Sequence, residues 1–183
     1  MIHLKKYSVF IVSLLIVVIG CSSDDSISVL PDENNVIPFQ ELYNQGVDRY
    51  LGTISPISSI SSSFGTTQHI FDSADGPVCF TGNQFSMFTR NGSSNNLLIF
   101  LQGGGFCSPI VCEALETGIP FIPFGMLNAM DAQNPVGNYN FGYIPYCDGT
   151  AFMGDNEVDS DGDGVDDRFF KGIQNLSASL DVI

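Results

Sequence analysis

The apolar run Leu97 to Leu101, entered from Asn96 and leaving through Gln102 into Gly103, Gly104 and Gly105, constrains this chain more than any other segment. An unbroken apolar stretch of that length, bounded by polar residues and glycine, reads as a strand buried in a sheet. The glycines that follow leave bare backbone amides, and glycine lets the chain turn sharply while another atom approaches those N–H groups. Amides so placed at a strand end can hold a developing negative charge on oxygen, as acyl transfer requires. Three glycines also suit a plain flexible turn, so the chemical reading depends on what accompanies them.

The rest of the chain supplies elements for a layered fold. Residues 36–51 carry a loose helical pattern (Leu42, Val47, Tyr50, Leu51) interrupted by Gly46, and 52–67 is rich in Ser, Thr and Gly without a clear period. Gln84 to Arg90 and Asn96 to Leu101 flank Asn91-Gly92, which predicts an antiparallel pair. Ser108-Pro109 makes a helix start and Gly118 a stop. Ile119 to Met130, with Pro120 and Pro123, reads as a loop covering something apolar, and Phe141 to Tyr146 as the next strand. From Gly172 to Ile183, Ile173, Leu176, Leu180 and Ile183 form one apolar stripe while Asn175, Ser179 and Asp181 face away. Strand, helix, strand, helix indicates an α/β protein with a partly parallel sheet.

The N-terminus has the marks of export. Lys5 and Lys6 precede an apolar stretch from Val9 to Ile19, too short for a comfortable membrane span, which closes on Val18-Ile19-Gly20-Cys21. That is a lipobox, predicting a signal peptide over 1–20, lipidation of Cys21, and a lipid-anchored protein of the bacterial cell envelope. Ser22 rather than Asp after Cys21 favours the outer membrane. Polar, acidic residues to about position 36 read as a disordered tether over 21–36, leaving 37–183 as the folded domain. The chain holds 20 acidic against 6 basic residues, a net charge of −14. Such a balance excludes nucleic acid as a partner and leaves the acyl anchor as the membrane contact. An exported chain with Cys79, Cys107, Cys112 and Cys147 suggests two disulfides, with three pairings open. Cys107 and Cys112 lie close enough in sequence to close a small loop. No CxxC spacing occurs, and His69 is the sole histidine past the leader, so zinc is disfavoured.

Several blocks in order carry a resemblance: Cys79 to Gly82, Leu98 to Cys107, Asn134-Pro135, Tyr143 to Gly149, Gly154-Asp155 and Gly172 to Leu176. Together they resemble the pectin acetylesterase/Notum family of serine carboxylester hydrolases, most closely its bacterial branch, over residues 75–183. The resemblance implies the N-terminal part of an α/β-hydrolase-like sheet with flanking helices, incomplete in this chain. It implies that the amides of Gly104 and Gly105 form part of the oxyanion hole, and that Cys79 pairs with Cys147 and Cys107 with Cys112. Phe106 and Gln102 stand where plant members tend to have Trp and Glu, which leaves the backbone role intact. The family's nucleophile sits on a Gly-x-Ser-x-Gly elbow, and no such motif occurs in these 183 residues. The Ser, the acid and the His are expected beyond Ile183, since His69 precedes the matched region and reads as structural. The serines around Ser62 and Ser63 have no base or orienting acid nearby in sequence.

Asp159, Asp161, Asp163 and Asp167 with Gly164 and Val165 fit D-x-D-x-D-G-x-x-D. Alternate carboxylates and the Val165 carbonyl can surround one hard cation, so Ca2+ in a structural role is expected, with no cofactor for catalysis. Phe170 stands where a full EF-hand loop wants Glu, and shorter calcium loops are nearer in form. The function expected is hydrolysis of acetyl or other short acyl esters on a polysaccharide, the present chain lacking the triad. The competing reading is a non-catalytic, lipid-anchored remnant that binds calcium or glycan.

Overall fold

A computed structural model describes residues 37–107, 118 and 121–183. The leader, the Cys21 lipidation site, the tether, the helix start at Ser108-Pro109 and Cys112 lie outside the described residues. The chain divides into two compact units, Met1–Gln40 and Glu41–Ile183, and the sheet belongs wholly to the second. No helix among the described residues is long and apolar enough to cross a membrane.

Five strands form one mixed sheet in the order β1 (Ser58–Ser61), β2 (Thr67–Ile70), β3 (Ser86–Arg90), β5 (Asn140–Ile144) and β4 (Leu97–Leu101). The first three form an antiparallel meander, β3 pairs antiparallel with β5, and β5 pairs parallel with β4. A mixed sheet with its helix is the α/β class expected. The antiparallel pair anticipated between 84–90 and 96–101 does not form, because β5 lies between the two strands. The side chain of Asn140 organises the exchange, accepting from Gly92 N–H at 3.0 Å and donating to the Ser94 carbonyl at 2.9 Å. The loop after β3 therefore wraps the start of β5 instead of closing a tight hairpin. The physical reason is burial: Phe141, Gly142, Tyr143 and Ile144 are all buried, which only a central strand achieves.

Successive strand residues point to opposite faces, so each strand feeds two cores. On one face Phe88, Phe141 and Tyr143 pack with Phe121 and Leu127, and Leu98 and Phe100 lean against them. The Tyr143 ring lies 5.8 Å from that of Phe100 and 5.6 Å from that of Phe121. Burial there pushes the Tyr143 hydroxyl up to about 12. The described part of the Pro-containing loop thus covers an apolar sheet face, as expected. On the other face Met87 and Ile144 pack with Phe71, Phe85, Tyr146, Phe152 and Ala178.

The second face is closed by α2 (Gly172–Leu180), which meets it in an unexpected orientation. Gln174, Asn175, Ser177 and Ser179 are buried, whereas Leu180 is 40% exposed and Ile183 37%. The polar side of the helix faces inward because it is hydrogen-bonded there. Asn175 accepts from Val78 N–H and donates to Val78 C=O, both at 3.0 Å, and Ser179 donates to the Asn175 carbonyl at 2.7 Å. Gln174 donates to Asp155 at 2.8 Å. The Cys79–Cys147 disulfide, with Cα atoms 4.9 Å apart, ties the segment before β3 to the segment after β5. The short helix α1 (Gln40–Asn44) covers only part of the helical pattern read over 36–51. Two strands that the sequence reading missed, β6 (Asn156–Val158) and β7 (Arg168–Phe170), form a separate hairpin around the acidic loop.

Candidate functional site

At the end of β4, Gln102 N–H donates to the Ile144 carbonyl at 3.0 Å, extending the parallel ladder by one bond. Its side-chain oxygen accepts from Tyr146 N–H at 3.1 Å, and Cys107 N–H donates to the Gly149 carbonyl at 2.8 Å. The glycine loop is thereby fastened at both ends. Between these fastenings, the N–H groups of Gly103, Gly104 and Gly105 donate to no other described residue. Such groups need an acceptor, which water or a ligand can supply. A Cβ on Gly104 would overlap the Tyr146 ring, so glycine is required by close approach as well as by the turn.

The loop borders a cavity of 310 Å³ whose far wall is Tyr146, Ala151 and Phe152. That wall is built by Asp148, a fully buried carboxylate. Its Oδ2 accepts from Thr150 N–H at 2.8 Å, from the Thr150 hydroxyl, and from Phe152 N–H at 3.2 Å. Its Oδ1 is buried without a partner among the described residues, a cost that the bonds to Oδ2 must offset. The Tyr146 hydroxyl accepts from Ala151 N–H at 3.1 Å. Ala151 and Phe152 sit at φ 55° and 62°, a left-handed conformation that costs about 1–3 kcal/mol each for non-glycine residues. Burial first, and then the Asp148 charge against an opposing bond from Ala151, raises the Tyr146 pKa, so this hydroxyl keeps its proton at neutral pH. Gly172 abuts the same turn, its Cα facing the Asp148 carboxylate and the Phe152 backbone too closely for any side chain.

A Ser–His pair does exist, in a different place. Ser59 Oγ lies 2.8 Å from His69 Nδ1, and His69 Nε2 lies 2.8 Å from the Thr89 hydroxyl. Burial lowers the His69 pKa, leaving the ring neutral. His69, Met87, Ile144 and Leu101 fall on one line across the sheet. Three strand spacings, roughly 14 Å, therefore separate this pair from the glycine loop. The Ser59–His69 pair cannot serve that loop, and the contact is a cross-strand pair between β1 and β2.

The structure brings Asp159, Asp161 and Asp163 together, with carboxylate oxygens within 4.8 Å of one another. Asp159 accepts from Gly162 and Gly164 N–H groups at 2.7 and 2.8 Å, which hold it below the usual carboxylate range. Asp163 accepts from Val165 N–H at 2.8 Å. Asp167 turns elsewhere, accepting from Ser160 N–H at 2.9 Å and from the Ser160 hydroxyl at 2.7 Å, and pairing with Arg168 at 3.0 Å. Three of the four aspartates thus converge in a set whose donor chemistry suits a hard cation. Cys79 and Cys147 are paired as the resemblance implied. Cys107 is also disulfide-bonded, and Cys112, the partner expected for it, is outside the described residues.

Fold and site together define an α/β protein with an amide-bearing glycine loop at the C-terminal end of a parallel strand. No protein-family profile matches the chain. It is similar to pectin acetylesterase 4 of Arabidopsis thaliana, at 30% identity over 141 residues covering 60% of this chain and 34% of that protein. Pectin acetylesterase 11 of the same plant is 30% identical over 122 residues, covering 59% of this chain and 30% of that protein. The chain thus spans about a third of the length of the curated relatives it matches. These likenesses support the resemblance drawn from the glycine loop and the Tyr143 to Gly149 block.

Proposed function

We propose that this chain is the oxyanion-binding part of a carboxylester hydrolase that removes acetyl or other short acyl groups from a polysaccharide. The observation that carries the reading is the glycine loop, fastened at both ends and presenting three amides without acceptors among the described residues beside a cavity. The likeness to two pectin acetylesterases supports the choice of ester over other acyl derivatives. In that reaction an attacking hydroxyl adds to the ester carbonyl and its electron pair moves onto oxygen. The amides of Gly104 and Gly105 stabilise that oxygen until the sugar hydroxyl leaves. The nucleophile, its His base and the orienting Asp belong, in this proposal, to polypeptide outside these 183 residues. The protein is an envelope lipoprotein of the family's bacterial branch, anchored through Cys21, and a calcium ion held by Asp159, Asp161 and Asp163 stiffens the loop between β6 and β7.

The test compares acetate release from an acetylated polysaccharide by the protein made from its complete reading frame with release by residues 21–183. The expected result is turnover by the former and background by the latter, since loss of triad members removes several orders of magnitude. In the active protein, Gly104→Val keeps its N–H, but its side chain overlaps the Tyr146 ring and so displaces the amide, which should cost about 10²–10³ in kcat, as loss of one oxyanion donor does. Hydrolysis by residues 21–183, or full activity of the Gly104→Val protein, overturns the assignment. The competing reading of a non-catalytic calcium- or glycan-binding remnant is favoured if the complete protein binds calcium and releases no acetate.

A further inference from the structure

Residues 148–154 form a turn built around one carboxylate. Asp148 is fully buried, and its Oδ2 accepts from Thr150 N–H at 2.8 Å, from the Thr150 hydroxyl and from Phe152 N–H at 3.2 Å. The Thr150 hydroxyl accepts in turn from Gly154 N–H at 2.9 Å. The Gly154 carbonyl accepts from Ile173 N–H at 3.0 Å, at the start of α2. These bonds bracket Ala151, which with Phe152 adopts the left-handed conformation. Non-glycine residues stay there only where their surroundings over-determine them, and such strain gathers at functional sites. The fit of Asp148 is incomplete, because Oδ1 is buried without a partner among the described residues. A buried polar atom in that state costs stability and calls for another reason.

The turn reaches the glycine loop twice. The Gly149 carbonyl, next to Asp148 in the chain, accepts from Cys107 N–H at 2.8 Å and fixes the far end of the loop. Ala151 N–H donates to the Tyr146 hydroxyl at 3.1 Å, and the Tyr146 ring lies against Gly104 with no room for a Cβ between them. Both contacts depend on the path of the backbone from 149 to 151, which the Asp148 carboxylate sets. The Gly104 N–H donates to no described residue, so its direction is set by the loop's fastenings and by that ring. Position is what such an amide supplies: a misplacement of about 1 Å can cost about a hundredfold in rate.

We infer that Asp148 is a positioning residue for the oxyanion-binding amides: it shapes the turn after Cys147, and the turn holds Gly104 through Tyr146 and Cys107. Asp148 touches no reacting atom, since its Oδ2 is taken up by donors of the turn itself. It acts as an acceptor, and what the site needs from it is an oxygen at the place of Oδ2. The inference rests on the oxyanion reading above for its effect on the reaction, while the linkage from Asp148 to Gly104 rests on geometry. An Asp148 that served stability only would leave the Gly104 amide and the rate per folded molecule independent of the side chain at 148.

The experiment is made on the complete protein with two readouts, the backbone amide shifts of Gly103, Gly104 and Gly105 and the kinetics of acetate release. Asp148→Ala is expected to move the Gly104 and Gly105 signals. It should lower kcat per folded molecule by about ten- to a hundredfold and leave KM within about twofold. Asp148→Asn returns an oxygen to the same donors and should recover most of that loss. Thr150→Val removes one bond to Asp148 without touching the glycine loop, and it should move the same signals by less. Where Asp148→Ala does not fold, Thr150→Val decides: moved Gly104 and Gly105 signals uphold the linkage, and unmoved signals overturn it. Gly104 and Gly105 signals unchanged in Asp148→Ala, a kcat unchanged in an active protein, or an Asp148→Asn protein as impaired as Asp148→Ala would each overturn the inference. The amide shifts need no turnover, so they decide for Asp148 even if the complete protein releases no acetate. Unmoved shifts in an active protein leave the hydrolase proposal standing.

Discussion

Asn175 shows how a single polar side chain can decide the docking of a helix. Its amide replaces both halves of a missing backbone pairing at Val78, and it is 1% exposed. Asn175→Leu keeps the branched skeleton and removes both bonds, leaving a buried N–H and a buried C=O unpaired. At about 1–3 kcal/mol for each orphaned group, the loss in unfolding free energy should be about 2–6 kcal/mol. Urea denaturation measures it directly, and a change under 1 kcal/mol would mean that Val78 finds other partners. The sequence reading placed Asn175 on the solvent side because polarity, averaged around a helix, points outward. A side chain that bonds two backbone groups inverts that rule, and nothing in the periodicity of α2 reveals it. Ala151 and Phe152 are equally silent, since neither residue type signals a left-handed turn. Gly103 to Gly105, by contrast, are legible from composition alone, because few contexts other than a turn or a close approach place three glycines after a strand.

At the scale of elements, what could be read was the strand character of β4 and β5; what could not was their partnership. Pairing depends on which strand must be buried on both faces, and Phe141 to Ile144 outcompete Leu97 to Leu101 for the central place. β4 keeps Leu97, Ile99 and Leu101 at 40–46% exposure. β1 and β2 escaped notice because Ser58 to Ser61 and Thr67 to Ile70 lack the alternation of a half-buried strand; all of β1 is exposed. The candidate site was legible in part for the same reason: its loop is written in glycine, while its wall depends on Asp148. The element that binds the two halves of the sheet's surroundings is the Cys79–Cys147 bond, which closes a loop with a sequence separation of 68 residues. Chain-entropy arguments give about 4 kcal/mol for a loop of this length. Replacing both cysteines by serine should lower unfolding stability by that order, measured against the oxidised chain in denaturant. Equal stability of the two forms would show that hydrogen bonds such as Phe80 N–H to Cys147 C=O, at 2.7 Å, already hold this junction.

For the molecule as a whole, acid should act in two stages. His69 is neutral in the fold because burial lowers its pKa, whereas the unfolded chain takes up a proton as pH falls below about 6.5. The unfolded state then binds more protons than the folded one, so stability declines from that pH down through the depressed folded value. Asp155 behaves alike at lower pH. Burial alone would raise its pKa, but bonds from Tyr50 at 2.6 Å, Arg49 at 2.9 Å and Gln174 at 2.8 Å hold it below the ordinary carboxylate value. Its contribution is present above about pH 4 and is lost as pH falls through the folded value; Asp159 and Asp167 follow the same direction. A net charge of −14 opposes both losses, because protonation relieves self-repulsion. Differences between variants remove that shared background. Melting temperatures of the wild type and His69→Gln, compared from about pH 7 to 5, should converge on acidification as the wild type loses its His69 term. Asp155→Asn should melt lower than wild type at neutral pH, and the gap should close as pH falls through the depressed folded value of Asp155. A constant gap between wild type and His69→Gln across the upper range would show that His69 takes up its proton in the fold as readily as in the unfolded chain, with the Ser59 and Thr89 hydroxyls accepting the imidazolium.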